Sequence, residues 1–233
     1  AIDEGRLVVK FRDCITIYEL AMWLRVRLYL LSGLVAILIP PSGILAQTAG
    51  KPDIGFNPRF EFSRTSSEPI IEYNLIQHLL AEPDPEPLLR VYGDGKVLMH
   101  FPSYMRRAGD YELHLSRSEL MALLRSLAAD GILDFDPAAV RQNKRQLEAQ
   151  QLTAGEELYT QSDVTETVIQ VRLDGYQRGP DSARIVDLNR RFNWPNLEHD
   201  ARRFPQSEAL RGAAAGAGRL HGFLRRPDLQ PVP

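Results

Sequence analysis

Leu88-Leu89-Arg90-Val91-Tyr92-Gly93-Asp94-Gly95-Lys96-Val97-Leu98-Met99-His100-Phe101 is the stretch from which the fold is read. Two apolar runs, Leu88–Tyr92 and Lys96–Phe101, flank a short glycine-containing loop, the pattern of a β-hairpin. Strand alternation puts Val97, Met99 and Phe101 on one face and Lys96, Leu98 and His100 on the other. A third strand at Tyr111–Leu115 turns Tyr111, Leu113 and Leu115 inward and Glu112 and His114 outward. Ser116-Arg117-Ser118-Glu119 is a capping box, which satisfies the free amides at a helix start. Leu120, Leu123, Leu124, Leu127 and Ala128 then form one apolar helical stripe, stopped by Gly131.

Working outward, Asp136 and Pro137 open a second helix to about Gln150, whose polar run Arg141–Gln146 places it on the surface. Thr165–Leu173 alternates as a strand, and Arg184–Leu188 returns as its partner. Asp174-Gly175 and Arg178–Asp181 are read as turns. Trp194-Pro195 is expected to open a short helix to about Arg203, and Ser207–Leu224 a last one. Its glycines, Gly212, Gly216, Gly218 and Gly222, suggest close packing or a frayed end. Upstream, Ile70–Leu80 reads as a strand, with another near Phe60–Phe62. Residues 82–87 alternate proline with acid and are incompatible with helix or central strand. The expected fold class is α+β, an antiparallel sheet of five or six strands with helices on one face. The single domain is placed at residues 88–226, behind an extended arm and Pro-rich linker at 47–87.

Residues 22–46 read as a secretory signal peptide. Met22 to Arg27 carries two positive charges, Leu28–Ile39 is an uncharged run too short to span a bilayer comfortably, and Ala46 follows as a cleavage site. Pro40-Pro41 argues against an uncleaved anchor, because two prolines disrupt a spanning helix. The mature chain is then expected to begin at Gln47 in the periplasm or outside the cell. Residues 1–21, ahead of the first methionine, read as a spurious upstream extension. The lone cysteine, Cys14, precedes the signal, so the exported part has no disulfide, no thiolate metal site and no lipid-accepting cysteine.

A net charge of −2 over 233 residues leaves no basic footprint for nucleic acid. The pairs Arg106-Arg107, Arg190-Arg191, Arg202-Arg203 and Arg225-Arg226 are read as solvated surface. No metal site is expected; His100 and His114, with Glu112, are the one set that could form one, since two imidazoles and a carboxylate can bind zinc, but a one-residue slip in register would separate them. Asp94 is read as turn chemistry, and Gly93-x-Gly95 lacks the rest of a phosphate-binding fingerprint. No serine sits in a Gly-x-Ser-x-Gly elbow, and position 121 is Met where a Ser118-x-x-Lys nucleophile needs lysine. The loop 102–109 offers Tyr104, Arg106 and Arg107 as partner-contact candidates, because these residue types dominate binding hot spots.

The run Val91–Val97, followed by Leu115-Ser116-x-x-Glu119-Leu120, resembles exported bacterial proteins of unknown function with a Tyr-Gly-Asp-Gly hairpin and a capped leucine-rich helix. The resemblance spans residues 88–135 and implies a fold but no activity. The expected function is therefore a non-enzymatic exported domain that binds a protein or cell-envelope component, without a cofactor. A small exported hydrolase or metal-dependent enzyme is the alternative, and a membrane-tethered accessory subunit would require the leader to stay attached.

Overall fold

In the computed structural model, the residues described are 56–78, 84–155 and 164–232. The expected signal at 22–46, the expected extension at 1–21 and the arm before Phe56 lie outside them. The described elements run β1 Arg59–Glu61, β2 Ile71–Gln77, β3 Leu89–Val91, β4 Lys96–Phe101, β5 Gly109–His114, α1 Arg117–Ala129 and α2 Pro137–Thr153. They continue with β6 Thr165–Gln177, β7 Ile185–Pro195, α3 Leu197–Arg203, α4 Glu208–Phe223 and β8 Gln230–Pro231. All eight strands join one antiparallel sheet, so the α+β class holds with more strands than expected.

The long hairpin β6–β7 anchors one side of the sheet, paired from Glu166↔Pro195 to Tyr176↔Ile185. β2 pairs with the other edge of β6 from Ile71↔Val171 to Gln77↔Thr165, and β1 continues that edge at Arg59↔Gln177. β3, β4, β5 and β8 follow in order. The domain therefore does not begin at residue 88. β2 lies between β6 and β3, and Asp53–Pro233 forms one compact unit. The start at 88 was set by reading the proline-alternating residues 82–87 as a linker between domains, whereas that stretch falls between β2 and β3, two neighbours in one sheet. The end at 226 likewise falls short of β8.

One core holds the fold together. Inward strand residues such as Ile71, Leu89, Val97, Met99, Ile169 and Val171 are buried with the α1 stripe and with Leu210, Ala213 and Leu220 of α4. The capping box at Ser116 and Glu119 forms as expected, and α2 buries only Val140. Trp194-Pro195 ends β7 instead of opening a helix. Asn196 turns the chain in the left-handed region at φ 51°, and α3 starts one residue later. The sequence misled here because Trp194 is needed inside. Its ring is buried beside Phe135 and its indole N–H donates to Asp200 Oδ2 at 2.8 Å. Asp174-Gly175 likewise runs through β6 and is not a turn.

The Tyr-Gly-Asp-Gly hairpin has a packing reason for each glycine. A side chain at Gly93 would overlap the Ser63 carbonyl oxygen, where the arm crosses the turn. Gly95 takes φ 100°, a conformation that favours glycine. Its carbonyl accepts from Leu115 N at 2.8 Å, and Asp94 Oδ1 accepts from Lys96 N at 2.8 Å. Asp94 is thus the turn residue it was read to be.

Candidate functional site: the open face of the sheet

Helices cover one face of the sheet; the other is polar. Register places Glu112, Leu98, Arg90, Glu72, Gln170 and Arg191 side by side across β5, β4, β3, β2, β6 and β7 on that open face. Period-two alternation makes this inevitable once Ile169, Val171, Leu89 and Met99 turn inward. Arg172 Nη1 reaches Glu72 Oε1 at 2.7 Å, and Gln170 Nε2 donates to Asn189 Oδ1 at 2.8 Å.

Segment 84–87, the proline-alternating stretch, lies over this face as a strap. Its rings lack N–H groups and resist both helix and ladder, so side chains must tie it down. Asp84 Oδ2 meets His100 Nε2 at 2.9 Å, while Asp110 Oδ1 meets the other ring nitrogen at 2.6 Å. Glu86 pairs with Arg90. Burial alone would lower the His100 pKa, but the two carboxylates outweigh it and the net shift is upward. Asp84 is lowered, first by the Glu86 backbone N–H and then by His100.

Between strap and strands lies a groove of about 400 Å³, lined by Asp84, Pro85 and Pro87, by Ile76 of β2, and by Val168, Gln170 and Arg191. Gln170 is 6% exposed, because its strand is flanked by β2 and β7, and its Oε1 has no hydrogen-bond partner among the described residues. Such an acceptor costs about 1–3 kcal/mol when sealed from water and unpaired. Arg191 is exposed and forms no ion pair among the described residues. This arrangement offers an apolar wall and one exposed positive charge.

The histidine pair does not converge. His114 stands opposite Lys96 and His100 opposite Asp110, at opposite ends of the β4–β5 pairing, roughly 13 Å apart at strand rise. Glu112 pairs instead with Lys96 Nζ at 3.4 Å. No group of three or more metal-ligating side chains forms among the described residues. The two histidines do share a face, but the loop between the strands sets a register that keeps them apart. The contact candidates on loop 102–109 are exposed at Tyr104 (45%) and Arg106, while the Arg107 guanidinium sits 4.4 Å over the Tyr111 ring. Neither Tyr104 nor Arg106 lines the groove.

On the helix face, Tyr73 Oη lies 3.4 Å from His221 Nδ1 in a cleft of about 270 Å³. Burial lowers the His221 pKa, reinforced by Arg225, and burial raises the Tyr73 hydroxyl. The neutral imidazole satisfies a buried hydroxyl, a structural task. Gln170 and Arg191 escaped sequence reading because an outward polar residue in a strand and an arginine in a basic pair look like ordinary surface. Comparison with protein families, with curated proteins and with solved structures finds no match to this chain. Among the described residues, no helix is long and apolar enough to cross a membrane.

Proposed function

We propose that this chain is an exported, non-catalytic binding domain whose contact surface is the open face of the sheet. The observation that carries the reading is the groove of about 400 Å³ beneath the strap, lined by Pro85, Pro87, Ile76 and Val168 and by the exposed Arg191, which forms no ion pair among the described residues. A ligand with an apolar part and a negative charge would suit such a groove. Export is supported by the leader, with its charged start, apolar run, proline break and Ala46.

Two measurements test the proposal. N-terminal sequencing of the exported protein is expected to read Gln47 first; retention in the cytoplasm refutes export. Hydrogen exchange of the exported chain is then compared with and without the cell-envelope fraction. Protection of the β2, β6 and β7 amides around the groove supports the contact surface, and unchanged exchange there refutes it.

A further inference from the structure

We propose that the strap is a pH-operated wall of the groove: charged His100 holds it against the sheet, and loss of one proton releases its Asp84 end. The inference rests on the open face being the contact surface and names how that surface is regulated.

His100 places Nε2 at 2.9 Å from Asp84 Oδ2 and Nδ1 at 2.6 Å from Asp110 Oδ1. An ionised carboxylate only accepts, and a neutral imidazole carries a single N–H. Both contacts therefore coexist only while both ring nitrogens are protonated, which makes the ring an imidazolium between two acids. Burial opposes that charge, but the hydrogen bonds and charges of Asp110 and Asp84 outweigh it. Those two acids are the charged groups that act on the ring. Just before β3, uncharged Leu88 accepts from the His100 backbone N–H at 3.1 Å, and Arg90 of β3 is taken up by Glu86.

With one proton left, the two acids compete for it, and their anchoring decides the outcome. Asp110 stands directly opposite His100 in the β4–β5 register, and its own carbonyl accepts from Val232 N at 2.9 Å. It is fixed by the sheet and makes the shorter contact. Asp84 stands on a segment, 84–87, that has no backbone hydrogen bond to the sheet among the described residues. Pro85 and Pro87 have no N–H to offer. The last proton therefore stays on Nδ1, and a bare Nε2 lone pair faces the Asp84 carboxylate. The Glu86–Arg90 pair holds no imidazole and remains as the pivot. Asp84 and Pro85 line the groove beside Ile76 and Val168, so their departure removes one wall. The wall is in place below the ordinary imidazole value of 6.5 and is lost as pH rises through the raised one.

The test follows one thiol. In a chain carrying Cys14→Ser, Val168→Cys puts the only cysteine at the half-buried strand side of the groove. Its labelling by a maleimide is compared, at each pH, with the same thiol in a chain also carrying Asp84→Ala, which cancels the chemistry of the thiol itself. At pH 6 the parent is expected to react at least threefold more slowly than Asp84→Ala, and at pH 9 equally fast. The midpoint should match that of the His100 ring signals in NMR. Asp110→Ala separates this device from simple loss of charge: without its competitor, Asp84 receives the last proton, so labelling stays slow at pH 9. Equal rates at pH 6, a parent still threefold slower at pH 9, or release in Asp110→Ala as in the parent overturns the proposal. Envelope material tests the coupling to binding. Protection of the β2 and β6 amides at pH 6 that vanishes at pH 9 supports it, and equal protection at both overturns it. If the thiol responds as expected while envelope material protects at neither pH, the contact surface falls and the strap's response to pH stands.

Discussion

Gly212 and Gly218 occupy the same helix, α4, yet alanine at the two positions is expected to act with opposite sign. Around Gly218 an added Cβ meets nothing within 4 Å, so only helix propensity changes. Alanine restricts the unfolded chain and is favoured over glycine in a helix by about 1 kcal/mol. At Gly212 the same Cβ would overlap the Asp130 carbonyl oxygen and approach its carbon to 3.1 Å. That oxygen is backbone at the C-cap of α1 and cannot swing aside as a side chain can. α4 must shift, which strains the Arg219 Nε–Asp130 Oδ2 contact at 2.6 Å. Overpacking of this kind costs about 1–3 kcal/mol, and the propensity gain offsets about 1 of that, leaving a net loss of up to about 2 kcal/mol. For a domain of this size each kcal/mol moves Tm by about 2–4 °C. Thermal unfolding followed by circular dichroism should therefore raise Tm by about 2–4 °C in Gly218→Ala and lower it by up to about 4–8 °C in Gly212→Ala. Gly216→Ala falls between them. Its Cβ meets Ile132 Cγ1 at 2.6 Å and Cδ1 at 2.7 Å, atoms of a side chain that can turn. Equal stabilisation by Gly212→Ala and Gly218→Ala would refute the close approach of α4 to the end of α1.

Three further outcomes are expected. Gly93→Ala should lift the arm from the hairpin at a cost of about 1–3 kcal/mol, seen as faster tryptic cleavage after Arg64; unchanged cleavage counts against the crossing of Ser63 over the turn. Asp200→Ala removes the acceptor shared by Trp194 Nε1 and Lys144 Nζ, at 2.8 and 2.7 Å. It should cost about 1–3 kcal/mol and alter the near-ultraviolet signal of the indole, and a stability within 0.5 kcal/mol of the parent, the usual range of a neutral surface change, argues against the network. The strap should be pH-sensitive in a definite direction. His100 has a raised pKa, so its contribution is full below the ordinary imidazole value of 6.5 and is lost as pH rises through the raised one. Asp84 is lowered, so its part is full above the ordinary value of 3.8 and is lost as pH falls from there through the lowered one. An NMR titration should place the His100 midpoint above 6.5 and bring it down in Asp84→Asn; a midpoint at or below 6.5 in the parent chain speaks against the contact.

Much of the fold was legible because its signals are local. The Gly93–Gly95 turn, the Ser116–Glu119 box, the leucine stripe of α1 and the Pro137 start each depend on residues within one or two turns of chain, and all form as read. Where distant packing outweighed local preference, reading failed. Trp194-Pro195 has the look of a helix start, but burying the indole against Phe135 and Asp200 holds it in β7. Asp174-Gly175 has the look of a turn, but β1 and β7 pair on either side of it.

The candidate site divides along the same line. Alternation by itself determined that His100, His114 and Glu112 face outward together, as do Gln170 and Arg172 on their own strand. Only the tertiary structure decided which of them meet. Strand order and register across a sheet are set by connections and core packing, and period-two alternation is blind to both. So His100 found Asp84 and Asp110 in place of His114. Gln170 became a buried amide beside Arg191 because β6 lies between β2 and β7, a neighbourhood assembled from residues roughly a hundred positions apart.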